Sequence, residues 1–124
     1  MNIALYSAAF LLVAIGVAHS VLGERYILIR LFRRVDLPKL YGGTEFTTRT
    51  LRFAWHLTSI AWWGFAAILC HLAKGAISTG TISFIVGITF TITGLVTLVT
   101  SRARHFAWPI FLLIGGIAFY AAAA

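Results

Sequence analysis

Residues Thr79–Thr100 read TGTISFIVGITFTITGLVTLVT, without a single Asp, Glu, Lys or Arg. A helix of about 20 apolar residues is what crossing a hydrocarbon core requires. Three further stretches have the same character: Ile3–Leu22, Phe53–Ala73 and Phe106–Ala124 also lack all four of those residue types. A membrane β-barrel would instead show alternating segments of about 10 residues. Helices satisfy their own backbone polar groups in lipid, so continuous apolar runs of this length predict helices.

The rest of the composition agrees. The chain has 124 residues, of which 60% are hydrophobic and 10% charged, with a mean hydropathy of +0.95. A soluble domain carries about 25% charged residues, and one this small leaves too much surface exposed to hide so many apolar side chains. The expected fold is all-α: one domain over residues 1–124, with four transmembrane helices (about 3–22, 53–73, 79–100 and 106–124) in an antiparallel bundle. Ala18 and Ser20 would suit a signal-peptide cleavage site, but Met1-Asn2-Ile3 lacks the positive charge that precedes such a segment. The first stretch is therefore read as a span.

Basic residues set the orientation. The loop at about 23–52 carries Arg25, Arg30, Arg33, Arg34, Lys39, Arg49 and Arg52, and the turn before the last stretch carries Arg102 and Arg104. The opposite side has only Lys74. The positive-inside rule puts these basic segments in the cytoplasm and both termini outside it. The net charge of +7 is thus a topology signal, and no nucleic-acid partner is expected. The loop also contains YILIRLFRRV (Tyr26–Val35), whose apolar residues recur at helical spacing opposite Arg30, Arg33 and Arg34. This predicts a short amphipathic helix on the cytoplasmic surface, its arginines meeting anionic lipid head groups. Pro38 should end it, and Glu45 with Arg49 forms an i,i+4 pair suited to starting the next helix.

Gly80, Gly87, Gly94 and Ser101 recur every seven residues on the third helix. Small residues let backbones approach in lipid, so this seam is a packing face, within the bundle or toward another copy or partner. Thr89, Thr93, Thr97 and Thr100 would form a polar pathway only if their hydroxyls were not used on their own helix. Arg52-Phe53-Ala54-Trp55-His56 is echoed by His105-Phe106-Ala107-Trp108-Pro109. Aromatic residues belong at membrane interfaces anyway, so the echo reads as convergence before it reads as duplication.

Ala18-His19-Ser20 with Gly23-Glu24-Arg25, then Leu51-Arg52-Phe53-Ala54-Trp55-His56, then Ser101-Arg102 with His105 and Ala107-Trp108-Pro109, resembles a group of short, uncharacterised bacterial integral membrane proteins. The resemblance covers nearly the whole chain. It implies the helical architecture and the bacterial inner membrane, and it implies no activity.

The histidines are the candidate site. His19 and His56 each lie about four residues, or roughly 6 Å, inside the cytoplasmic interface, and His105 is at the mouth of the fourth helix. Ionisable groups at membrane depth are costly, which makes them functional candidates. Two imidazoles from facing helices could ligate haem, with Gly16 and Gly23 leaving room for the ring and Arg49 or Arg52 meeting the propionates. A transition metal held by His19, His56, His105 and Glu24 is the other cofactor reading. Set against both is a structural polar cluster, in which Ser20, Ser59 and Glu24 satisfy the imidazoles. Trp62 and Trp63, near mid-membrane, are packing groups or the lining of a quinone or haem pocket.

Cys70 is the only cysteine and reads as a packing residue. His71 beside it points about 100° away on a helix, a poor chelating geometry. No nucleotide-binding glycine loop, CxxC or HExxH pattern is present, and the one aspartate, Asp36, lies in the basic loop, so no Ser–His–Asp constellation can be placed. The expectation is a non-enzymatic structural or accessory component of the membrane. A histidine-bound cofactor protein and a small oligomeric transporter are the alternatives.

Overall fold

The computed structural model describes residues 2–124. Four helices follow one another: α1 (Ile3–Leu31), α2 (Glu45–Ala73), α3 (Thr79–Ser101) and α4 (Ala107–Ala123). There is no strand among the described residues. The first three helices are long and apolar enough to cross a membrane. The fourth has 17 residues.

Helix α1 starts where Asn2 caps it, its side-chain oxygen accepting from the Leu5 N–H at 3.3 Å. It does not stop at Leu22. Gly23 keeps right-handed helical angles (φ −61°, ψ −47°), and the chain continues as a π-helical turn over Gly23–Leu28 before a last α-helical turn ends at Leu31. The separate amphipathic helix expected over Tyr26–Val35 is therefore corrected: most of that segment is the C-terminal end of α1. A lone glycine costs only about 1 kcal/mol in a helix, which is too little to break it here. The segment from Phe32 onward leaves the helix. Arg34 turns back onto Asp36 at 2.6 Å, and its guanidinium holds that carboxyl below the usual carboxylate range.

Leu40 and Gly43 then exchange backbone hydrogen bonds around a tight turn, with Tyr41 (φ 55°) and Gly42 (φ 89°) both left-handed. Helix α2 begins at Glu45, two turns before the apolar run at Phe53. Helix α3 is capped by Ser78, whose hydroxyl accepts from Thr81 N–H at 3.1 Å. Its other end closes through two left-handed non-glycine residues, Arg102 (φ 51°) and Ala103 (φ 62°). The Ala103 N–H reaches back to the Leu98 carbonyl at 2.9 Å.

Neighbouring helices run antiparallel. The Asn2 N–H meets the Ala73 carbonyl at 3.2 Å, Arg49 reaches the Thr100 carbonyl at 2.9 Å, and a Cβ on Gly80 would lie 3.4 Å from the Ala122 carbonyl. The helices do not close into a four-helix core. Helix α1 packs on α2, α2 on α3 and α3 on α4, and no other pair packs together. The molecule is an open row in chain order. Many large apolar side chains on all four helices, among them Phe10, Phe65, Phe84 and Leu113, are left exposed by this arrangement.

The seam on α3 faces α4. A Cβ on Gly87 would come within 2.6 Å of the Phe119 ring, and one on Gly94 within 2.7 Å of Leu112. Gly115 answers from α4, meeting Thr91 and the Gly87 carbonyl. Gly80, Gly87 and Gly94 are thus used against α4 within the chain. Thr97 and Thr89 donate to the carbonyls of Thr93 and Ile85 on their own helix, both at 2.8 Å, so they do not form a polar pathway.

Candidate functional site

The contact between α1 and α2 is polar in a regular way. Three carbonyls on α1, those of Val13, Gly16 and His19, receive donors from α2: Trp63 Nε1–H at 3.3 Å, Ser59 Oγ–H at 2.8 Å and Trp55 Nε1–H at 2.9 Å. Acceptors three residues apart on one helix meet donors four apart on the other. The indoles reach in because α1 has no side chain beneath them. A Cβ on Gly16 would lie 2.4 Å from Trp63 Nε1, and one on Gly23 would overlap the indole of Trp55. Both positions require glycine for close approach.

At the end of this contact nearer the α1–α2 loop sit His19, Ser20 and Glu24 from α1 with Arg52, Trp55 and His56 from α2. His19 lies flat against Trp55, with ring centroids 4.5 Å apart and planes within 2°. Its Nε2–H donates to the Trp55 carbonyl at 3.2 Å, and Trp62 meets it edge-on at 5.1 Å. His56 is held at both nitrogens, Nδ1 by Ser20 Oγ at 2.9 Å and Nε2 by Glu24 Oε2 at 3.0 Å. Ser20 and Ser59 hydroxyls are 2.7 Å apart. Arg52 grips the Glu24 carboxylate with two nitrogens, Nη2 at 2.9 Å and Nε at 3.3 Å, while its guanidinium covers the Phe32 ring at 4.9 Å. A forked guanidinium on a carboxylate is among the stronger polar contacts available. Glu24 lies at the start of the π-helical turn, a winding found often at functional sites.

His19 and His56 thus share one helix contact. His105 does not join them. It belongs to the α3–α4 turn, stacks on Phe46 at 5.8 Å, meets Phe53 edge-on at 5.0 Å, and accepts the Ala107 N–H at 3.2 Å through Nδ1. It caps α4. The physical reason is the row: neither α3 nor α4 packs against α1, and equal depth says nothing about position around the bundle. No group of three or more His, Cys, Asp or Glu side chains among the described residues is placed to hold a metal ion. The set His19, His56, His105 and Glu24 is therefore corrected to a pair, His56 with Glu24, and a separate stacked His19.

Arg49 is also elsewhere. It bonds Glu45 at 2.9 Å and the Thr100 carbonyl, at a second polar knot where Glu45 also meets Arg102 at 3.3 Å and Arg104 at 3.7 Å. This knot ties the start of α2 to the α3–α4 turn. Sequence reading missed it, although Glu45 is one of only three acidic residues in a chain with ten Lys and Arg, a scarcity that marks each acid as a hub. Arg30 and Arg33 are exposed, and Arg25 and Arg30 lie over the Tyr26 ring at 5.5 and 5.9 Å. Cys70 is half-buried and free.

The chain matches no protein-family model, no curated protein and no solved structure.

Proposed function

We propose that this chain is a structural or accessory protein of the bacterial inner membrane that crosses it four times with both termini outside the cytoplasm. Helix α4 is about 25 Å long at 1.5 Å per residue, slightly less than a hydrocarbon core of about 30 Å. It lies along the longer α3, and Phe106 and Trp108 at its mouth suit the interface.

One observation carries the structural role. Both nitrogens of His56 and both oxygens of Glu24 are engaged by partners across the α1–α2 contact. A polar network satisfied in this way fixes one geometry between two helices. A ligand for haem or metal would have to give up those bonds first. The exposed Arg25, Arg30 and Arg33 beside the interface suit contact with anionic lipid head groups, and Arg34 contributes less because Asp36 neutralises it.

The test is cofactor content and topology together. Protein purified from membranes should show neither a Soret band nor stoichiometric metal, and His19→Ala and His56→Ala should unfold at lower temperature in detergent. A haem or metal present at one per chain and lost in both variants would replace this reading with the cofactor alternative. A periplasm-dependent reporter fused after Ala124 should be active and one fused at Gly42 inactive. The reverse pattern would invert the orientation.

A further inference from the structure

We propose that Glu24 and His56 form a site that holds one proton, placed there by a one-way chain of hydrogen bonds running into α1. The argument starts at the buried end. Ser59 Oγ lies 2.8 Å from the Gly16 carbonyl. A carbonyl can only accept, so the single hydroxyl hydrogen of Ser59 is committed to it. Ser20 Oγ is 2.7 Å from Ser59 Oγ, so Ser20 must donate to Ser59. The Ser20 hydrogen is then also committed, and Ser20 receives its bond from His56 Nδ1 at 2.9 Å. His56 therefore carries hydrogen on Nδ1.

Its other nitrogen, Nε2, is 3.0 Å from Glu24 Oε2. A neutral imidazole with hydrogen on Nδ1 offers only a lone pair at Nε2, and a carboxylate offers only lone pairs. The contact needs a proton between them. The intact chain admits an imidazolium against a carboxylate, or an imidazole against a carboxylic acid: one proton with two placements. The forked Arg52 guanidinium on Glu24 favours the carboxylate, which puts the proton on His56.

Losing that proton has a structural cost. With hydrogen on Nε2 alone, His56 Nδ1 becomes an acceptor. Ser20 must then donate to it and Ser59 to Ser20, leaving the Gly16 carbonyl facing a bare oxygen. Whichever way the serines turn, one bond of the run is lost. The charged and titratable groups facing the pair are Arg52 from α2 and Glu24 from α1; His19 is turned onto Trp55 and Trp62, and α3 and α4 do not pack against α1. Glu24 and His56 side chains are 31% and 28% exposed, so the proton exchanges with the cytoplasmic surface. The site thus couples proton occupancy to the closeness of α1 and α2, a property beyond a purely structural clasp.

Nitrogen NMR of the full-length protein, labelled at histidine and held in lipid at neutral pH, tests this. His19 donates through Nε2 and His105 accepts at Nδ1, so neither takes the form with hydrogen on Nδ1 alone, and both serve as references. His56, identified by the signals missing in His56→Gln, should carry hydrogen on both nitrogens. Hydrogen on Nδ1 alone would place the same proton on Glu24 and still support the site. A bare Nδ1 on His56 overturns the proposal. Ser59→Ala frees Ser20 to donate to His56, and the expected result is the neutral Nε2–H form. Ser20→Ala removes the link and should do the same, should Ser59→Ala not fold. An unchanged His56 pattern in a folded variant would overturn the one-way chain.

Discussion

His19 and Trp55 exchange hydrogen bonds: the imidazole Nε2 donates to the Trp55 carbonyl at 3.2 Å, the indole Nε1 donates to the His19 carbonyl at 2.9 Å, and the two rings lie parallel between the bonds. Each side chain satisfies the other's backbone, so α1 and α2 are locked in rotation and in register. Trp55→Phe keeps much of the ring and removes one donor, and should cost about 1 kcal/mol, the usual scale for an interhelical hydrogen bond in a membrane. Trp55→Ala also empties the slot over Gly23 and should cost roughly 3–5 kcal/mol. Unfolding of the two variants in mixed micelles distinguishes them; equal losses would mean that the bond, not the ring, carries the contact.

The glycines divide into two groups. A Cβ on Gly87 or Gly94 meets Phe119 or Leu112 well inside contact distance, whereas one on Gly116 meets nothing within 4 Å. Gly87→Leu and Gly94→Leu should each lower stability by several kcal/mol, about 1–3 or more as overpacking forces α3 and α4 apart. Ile88→Leu, at an exposed site, should change little, and Gly116→Ala should be neutral or slightly stabilising. Thermal denaturation in one detergent reads all four.

Glu45 is the only carboxylate among Arg49, Arg102 and Arg104. Glu45→Gln leaves three guanidiniums facing one another and should destabilise the chain by about 1 kcal/mol, with the loss shrinking as salt screens the repulsion. Melting curves of wild type and variant at low and high salt check this. A salt-independent difference would show that packing rather than charge is affected.

Ala103 sits at φ 62°, where a Cβ is costly and glycine is not. Ala103→Gly should therefore raise stability by up to about 1 kcal/mol, against the usual direction for an alanine-to-glycine change. A lower melting temperature would mean that the greater freedom of glycine in the unfolded chain outweighs the relief of strain.

The spans were legible because run length and the absence of charge are read directly from residues such as those of Thr79–Thr100. The expected depths of His19, His56 and His105 rest on the same count. Position around the helices was not legible. His105 has other neighbours than His19 and His56, since the row arrangement separates it from α1. Gly23 was expected to open the loop and to leave room for a haem ring, yet it lies within α1 and its small size serves Trp55. The glycine pair Gly16 and Gly23 on one helix, set against Trp63 and Trp55 on the other, was present as a spacing match, and it is the signal that would have paired α1 with α2.

A row in chain order also has a temporal meaning. Each helix packs only against its neighbours in the chain, so the contacts that wait longest are those of Glu45, Phe46, Arg49 and Phe53 with the end of α3 and the α3–α4 turn. The α1–α2 hairpin, with its carbonyl ladder and its Glu24–His56 pair, is complete once Ala73 has been synthesised. Helices α3 and α4 then add a second hairpin without rearranging the first. Folding can keep pace with insertion, and the seam between α2 and α3 is a joint between two finished parts.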